Sequence, residues 1–454
     1  MNRALHAGLE LWDVWRGKSV NRKIFTGALT VGVLTMVVKA CSFGKEVVAA
    51  HQFGTSDALD AFLIAFLLPS FAVNLVAGSF NAAIIPTFVQ VRETEGLEAS
   101  HRLFSSIMVL SIALLGVITV LLALGGHFLL PLLGSGFDVE KIALTRHLFY
   151  VVLPVLFFGG LANVWTSILN AGERFALAAA APTVTPILTV AMLLVGGRIL
   201  GIYALALGMV CGLFLEALLL MAALKKRGFS VFPRWNGMNA AIGQVIRQYA
   251  PMLAGTFLMS STYLVDQAMA AMLPAGSVSM LNYGNKIVAS LVGILSLAIG
   301  TAIFPHFSRM VALTDIKGIQ HTLKTYIGIA VFICAPLTLF LVFLSELVVE
   351  FIFERGAFTA ADTRMVAKVQ AMYVLQLTFH IAGIVLVRLI SAMKGNWILM
   401  LSAIISLPLN IVFNLILMKT MGVSGIALST SLVYAVSLIF LSVMTLRLTR
   451  RLKA

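Results

Sequence analysis

The chain has 454 residues, 60% of them hydrophobic and only 11% charged, where an average soluble domain carries about 25% charge. A mean hydropathy of +1.02 excludes a disordered chain and an ordinary soluble enzyme. Basic residues outnumber acidic ones by 14, and the placement of that excess decides whether it points to nucleic acid or to a membrane.

Residues 1–24 contain Leu9-Glu10-Leu11-Trp12-Asp13-Val14-Trp15-Arg16 and no small-residue cleavage site after an apolar run. They predict a cytoplasmic interfacial segment and not a cleavable signal peptide. Stretches apolar enough to cross the hydrocarbon then fall at 25–43, 57–80, 102–125, 147–170, 178–196 and 199–223, and again at 242–262, 278–304, 325–345, 366–387, 396–418 and 424–446. The expectation is an all-α polytopic membrane protein of about twelve spans. A first six-helix lobe covers 25–223, a basic linker 224–241, a second six-helix lobe 242–446 and a basic tail 447–454.

Lysine and arginine gather in the N-terminus, the even-numbered loops and the tail. The positive-inside rule therefore places both termini in the cytoplasm. The basic excess is then a topology signal and a contact for anionic lipid, not a nucleic-acid surface. Cys41, Cys211 and Cys334 lie far apart in apolar stretches, which excludes a disulfide framework and a zinc ribbon. No Walker loop, H-E-x-x-H or G-x-S-x-G motif occurs, and His127 and His147 lack partners at metal-ligand spacing. No loop is long enough to house a catalytic or ATP-hydrolysing domain, so no catalytic residue, metal or cofactor is expected.

The chain repeats itself at an offset of about 220 residues. Ala83-Ile84-Ile85-Pro86-Thr87-Phe88 matches Ala302-Ile303-Phe304-Pro305-His306-Phe307, and Pro186 matches Pro408. Leu200-Gly201-Ile202 with Ala206-Leu207 matches Met421-Gly422-Val423 with Ala427-Leu428. Six spans per half make the repeats parallel, an arrangement in which transporters bind substrate between the halves and rock them for alternating access. Pro69, Pro154, Pro251 and Pro336 fall in or beside spans and permit kinks.

A charge near the bilayer centre costs at least about 2.5 kcal/mol, so each one asks for a reason. Lys39, Lys45 and Glu46 lie in the first span and its exit, and Asp57, Asp60 and Asn74 in the second. Asp266 follows the seventh, and Asn282, Asn285 and Lys286 lie in the eighth. Spans 1, 2, 7 and 8 open the two repeats, so equivalent polar helices of both halves would face one cavity. Snorkelling at the outer interface is the plain alternative for Lys45, Glu46, Asp57 and Asp60. His380 reads as a helix contact, and Glu216 as interfacial or paired with Lys225-Lys226-Arg227. Lysines outnumber acids at the deepest positions, which favours an anionic group such as a diphosphate.

The stretch Lys39-Ala-Cys-Ser-Phe-Gly44-Lys45-Glu46, then Asp57-Ala-Leu-Asp60-Ala61-Phe62 and Leu68-Pro69, resembles the opening of the MurJ/MviN family. That family shows Arg-x-x-Gly-x-x-Arg-Asp followed by Asp-Ala-Phe and Leu-Pro. Val265-Asp266 through Asn282-Tyr283-Gly284-Asn285-Lys286, with Ile303-Phe304-Pro305 after it, resembles the family's seventh and eighth helices. The resemblance implies a member of the multidrug/oligosaccharidyl-lipid/polysaccharide exporter superfamily. Such a member flips a polyprenyl-diphosphate-linked glycan, lipid II or a relative, from the cytoplasmic to the periplasmic leaflet. It implies substrate-binding roles for Lys39, Lys45, Glu46, Asp60, Asn74, Asp266, Asn282 and Lys286. Expected partners are that glycan lipid, membrane lipids and proteins of envelope glycan synthesis, and the expected energy source is the membrane potential or a monovalent ion.

Lysine replaces the family's arginine at 39, 45 and 286, Val73-Asn74 stands where an arginine pair is expected, and Ala289 stands in place of an acid. The chain also ends after twelve spans, where lipid II flippases typically have two further helices. These departures favour another lipid-linked oligosaccharide over lipid II. A cation-coupled multidrug exporter, led by Asp60, Asp266 or Glu46, and a non-transporting envelope-assembly scaffold are the competing expectations.

Overall fold

The computed structural model describes residues 20–172, 175–226, 228–229 and 233–451. The expected interfacial segment at 1–24 therefore lies almost wholly outside the described residues. All regular structure among the described residues is helical. In chain order the helices are α1 (Val20–Phe53), α2 (Asp57–Glu95), α3 (Leu97–Leu133), α4 (Val139–Val152), α5 (Pro154–Ala171), α6 (Phe175–Ala180), α7 (Val184–Leu200) and α8 (Ile202–Lys225). After the linker come α9 (Ala240–Ala270), α10 (Ser277–Ala312), α11 (Ile316–Phe343), α12 (Ser345–Phe353), α13 (Ala360–Val374), α14 (Gln376–Ala392), α15 (Asn396–Met421) and α16 (Val423–Arg451).

Among the described residues ten helices or helix pairs, against the twelve spans expected, are long and apolar enough to cross a membrane; α1 and α9, long helices of 34 and 31 residues, are not among them. The chain is a multi-pass membrane protein. Its helices extend beyond the expected spans because backbone hydrogen bonds continue through the polar interface once a helix is nucleated. Side-chain caps mark several starts: Ser56 accepts from the Leu59 amide, Asp138 from Lys141, Asn239 from Ile242 and Asp315 from Gly318. Thr359 and Asp362 form a reciprocal capping box on α13.

Prolines divide into two kinds. Pro154 stands in the first turn of α5 and separates it from α4, so the fourth span is two helices. Pro69 and Pro86 in α2, Pro336 in α11 and Pro408 in α15 lie inside continuous helices.

Packing differs between the two ends of the bundle. At the end formed by the connections 54–56, 134–138, 271–276 and 344–359, hereafter the first end, one core spans both halves of the chain. It joins Ala50, Phe62 and Leu205 to Val278, Tyr283 and Phe353. Toward the second end the cores separate. One gathers α2, α3, α5 and α8 and takes in Ile242 and Val245 of α9; three smaller ones lie within 303–441. The beginning of α9 thus packs on the first half, where Tyr249 donates to the Val76 carbonyl at 3.3 Å and Phe257 meets Phe71 edge-on at 5.7 Å.

Candidate functional site

Between the halves lies a cavity of about 110 Å³. Its polar wall is Lys45 and Glu46 of α1 with Tyr263 of α9 and Asn282 and Lys286 of α10; its apolar wall includes Phe62 and Phe66 of α2 and Met209 of α8. Lys45 and Glu46 are adjacent, so both side chains reach one site only near the helix face that meets α10. Lys286 approaches from the other half. Both ammonium groups end on the same oxygen, Glu46 Oε1, with Lys45 at 3.0 Å and Lys286 at 2.9 Å. One carboxylate shared by two cations leaves the cavity with a formal charge of +1. All three side chains are partly screened from solvent, which makes each interaction stronger than on an open surface. Asn282 Nδ2 donates to the Tyr263 hydroxyl at 3.2 Å, and the near-parallel rings of Phe62 and Phe66 are 5.9 Å apart.

The remaining expected residues go elsewhere. Lys39 is exposed on α1, two turns from Glu46 toward the second end, and Asn74 is exposed on α2 one turn beyond the cavity residue Ser70. Asp60 is only 1% exposed and belongs to the closure at the first end. It accepts from Lys141 Nζ at 2.9 Å, the Gly276 amide at 2.8 Å and the Ser279 amide at 2.8 Å. Lys141 also pairs with Asp57. Helix α10 has no side-chain cap of its own, so a carboxylate from α2 caps it across the halves, at the positive end of the helix dipole.

Asp266 turns away from the cavity into the second half. Asn410 Nδ2 and Asn414 Nδ2 donate to its Oδ1 at 3.0 and 2.7 Å, and Thr430 Oγ1 to its Oδ2 at 3.1 Å. No lysine or arginine among the described residues pairs with it. Glu216, expected at an interface or beside the basic run, is buried and accepts from Thr185 Oγ1 at 2.7 Å. The ring of His380 lies 4.5 Å from Tyr434, a helix contact, but its buried Nδ1 has no hydrogen-bond partner among the described residues, so the contact is not the satisfied one expected. Lys141, Tyr263, Asn410, Asn414 and Thr430 escaped the sequence reading. Asn410 and Asn414 carried a signal, two amides at i, i+4 inside an apolar span. Lys141 carried none, being one lysine in a short connection.

A helical membrane bundle with an inter-half cavity lined by paired charges has the architecture of a membrane transporter. The fold is that of a solved structure titled lipid II flippase MurJ, inward closed conformation (TM-score 0.79, 22% identity, 93% of this chain and 90% of that one). It is equally that of an inward-facing multidrug resistance MATE family transporter of the MOP superfamily (TM-score 0.79, 14% identity, 94% and 99% of the two chains). The family model described as lipid II flippase MurJ matches residues 49–453. The chain belongs to that family. Among its relatives, a probable lipid II flippase MurJ of Bdellovibrio bacteriovorus is 26% identical over 91% of this chain and 80% of its own. Another from Synechocystis sp. is 26% identical over 96% and 83%.

Proposed function

We propose that this protein is a flippase for a polyprenyl-diphosphate-linked glycan, lipid II or a related lipid-linked oligosaccharide, in a bacterial cytoplasmic membrane. Both termini are then cytoplasmic, the first end of the bundle faces the periplasm, and the two halves act as six-helix lobes in alternating access. The observation that carries this reading is the convergence of Lys45 and Lys286, from opposite halves, on one oxygen of Glu46. A diphosphate entering the cavity offers several anionic oxygens to cations that share a single one in its absence. It would displace Glu46 and bridge the halves itself. Lysine serves as a rotatable point charge for phosphate, without the two-pronged geometry of arginine.

The cavity holds little more than a diphosphate in this conformation, so the halves must part to admit the sugars. The polyprenyl tail stays in lipid. Carrying one negative charge outward across an inside-negative potential gains about 2.3 kcal/mol per 100 mV. A monovalent cation is the alternative energy source; the Asp266 carboxylate is a hard oxygen ligand for one, which would displace the donors it now accepts from Asn410, Asn414 and Thr430. The multidrug-exporter reading rests on the equal likeness to the MATE fold and on the apolar wall of Phe62 and Phe66; it predicts cationic ligands.

Native mass spectrometry of the purified protein with lipid II, a non-peptidoglycan lipid-linked oligosaccharide and an organic cation tests the proposal. Retention of a diphosphate lipid that disappears in the Lys45→Gln/Lys286→Gln variant is expected. Retention of the cation alone would overturn it.

A further inference from the structure

Four connections meet at the first end, and there the halves touch through main chain. A β-carbon on Gly54 or Gly356 would collide with the carbonyl of Ala357 or His51 respectively. One on Gly136 would come within 2.8 Å of Met272 Cα, and one on Gly276 within 2.6 Å of the Thr55 carbonyl oxygen. Apart from the His51 ring, which also crowds Gly356, these neighbours are main-chain atoms, which have no rotamer to give way, so only the absence of a side chain allows the approach. The Ala357 amide donates to the His51 carbonyl at 2.8 Å and holds one contact in register. Gly54, Gly276 and Gly356 also have φ of +52°, +85° and +62°. Gly136 does not, so at that position space alone is at issue.

Two of the four contacts are related by the sequence repeat. Gly136 and Gly356 stand about 220 residues apart, as do their partners Ala271 and His51. Gly54 and Gly276 are also about 220 residues apart, but they meet different places in the other half, Ala357 and Thr55.

We propose that Gly54, Gly136, Gly276 and Gly356 form a reversible clasp that shuts the outer mouth of the transport path, backbone against backbone. It rests on the proposed function only for which side is outer. Beside these contacts Asp60, held by Lys141, caps α10 across the halves, so parting the halves there releases that cap together with the backbone contacts. A single methyl group at one contact is enough to hold the mouth ajar.

Hydrogen–deuterium exchange of the full chain in lipid nanodiscs tests this. Gly136→Ala and Gly276→Ala should speed exchange in segments 273–280 and 354–360 by about tenfold, with amides inside α14 unaffected. Gly116→Ala and Gly255→Ala, whose β-carbons meet nothing within 4 Å, should change nothing. In the unaltered protein the amides of Gly276, Ser279 and Ala357 should show one common opening. Wild-type exchange in the clasp variants, or unrelated protection of those three amides, would overturn the clasp, the second even if neither variant folds. The readout needs no substrate, so lipid retention can fail with the clasp standing, and the reverse.

Discussion

Glu46 is the residue on which the empty cavity turns, because it occupies the two cations a diphosphate needs. Removing its charge should strengthen anion binding twice over, by deleting the competitor and by leaving Lys45 and Lys286 to repel each other. Glu46→Gln is expected to lower the Kd for a polyprenyl-diphosphate lipid by about tenfold, some 1.4 kcal/mol, and to slow release, as a native mass spectrometry titration and a flipping assay would read. Weaker binding in that variant would make Glu46 a ligand and not a competitor. Lys141 presents the opposite case. Its ammonium is 8% exposed beside the 1% exposed Asp60, and Lys141→Met strands that carboxylate. Breaking a buried pair costs about 3–5 kcal/mol, reduced here because two amides still hold Asp60. A clear fall in the thermal midpoint should follow, whereas Asp57→Asn, at a carboxylate 59% exposed, should barely move it.

At the scale of elements, the tightest pairing inside the first half is α7 on α8. Gly208 and Gly212 stand four apart on α8, and β-carbons there would lie 2.8 and 2.7 Å from the Cα atoms of Thr189 and Thr185. Lipid and helix surface are equally apolar, so close backbone approach drives such pairing. Gly208→Ala should push the helices apart and destabilise the protein by about 1–3 kcal/mol, measured as a shift in thermal midpoint against Gly255→Ala as control. Glu216 sits one turn beyond Gly212 on the same helix and reaches Thr185 of α7, so the same displacement would weaken that hydrogen bond. Helix α9 belongs to neither half alone. Its start packs on α2 and its end places Asp266 against α15 and α16, so its two ends are held by different halves.

For the whole molecule, a substrate gripped by Lys45 and Lys286 ties the halves where Glu46 ties them now. A ligand at a hundred times its Kd should raise stability by about 2.7 kcal/mol. The thermal midpoint should therefore rise with a diphosphate lipid in the unaltered protein and stay fixed in the Lys45→Gln/Lys286→Gln variant. An equal rise in both would place the lipid outside the cavity.

How much of this was legible follows from what a bilayer demands. Crossing hydrocarbon requires long apolar helices whatever their neighbours, so composition and run length alone determined the all-helical membrane architecture. The cost of burying charge determined that Lys45, Glu46, Asp60, Asp266 and Lys286 needed partners. Which partner each one took was decided only by tertiary structure. A span apolar on every side carries almost no mark of its rotation, since lipid and protein core solvate it alike. Lys45 and Lys286 therefore turned to one carboxylate, while Asp60, read as a cavity residue, turned to the start of α10, and Asp266 to two asparagines more than a hundred residues away. The glycines at 54, 136, 276 and 356 were visible as letters. Their purpose appeared only when the fold brought the backbone of the other half within reach, because a missing side chain has no meaning until something fills its place.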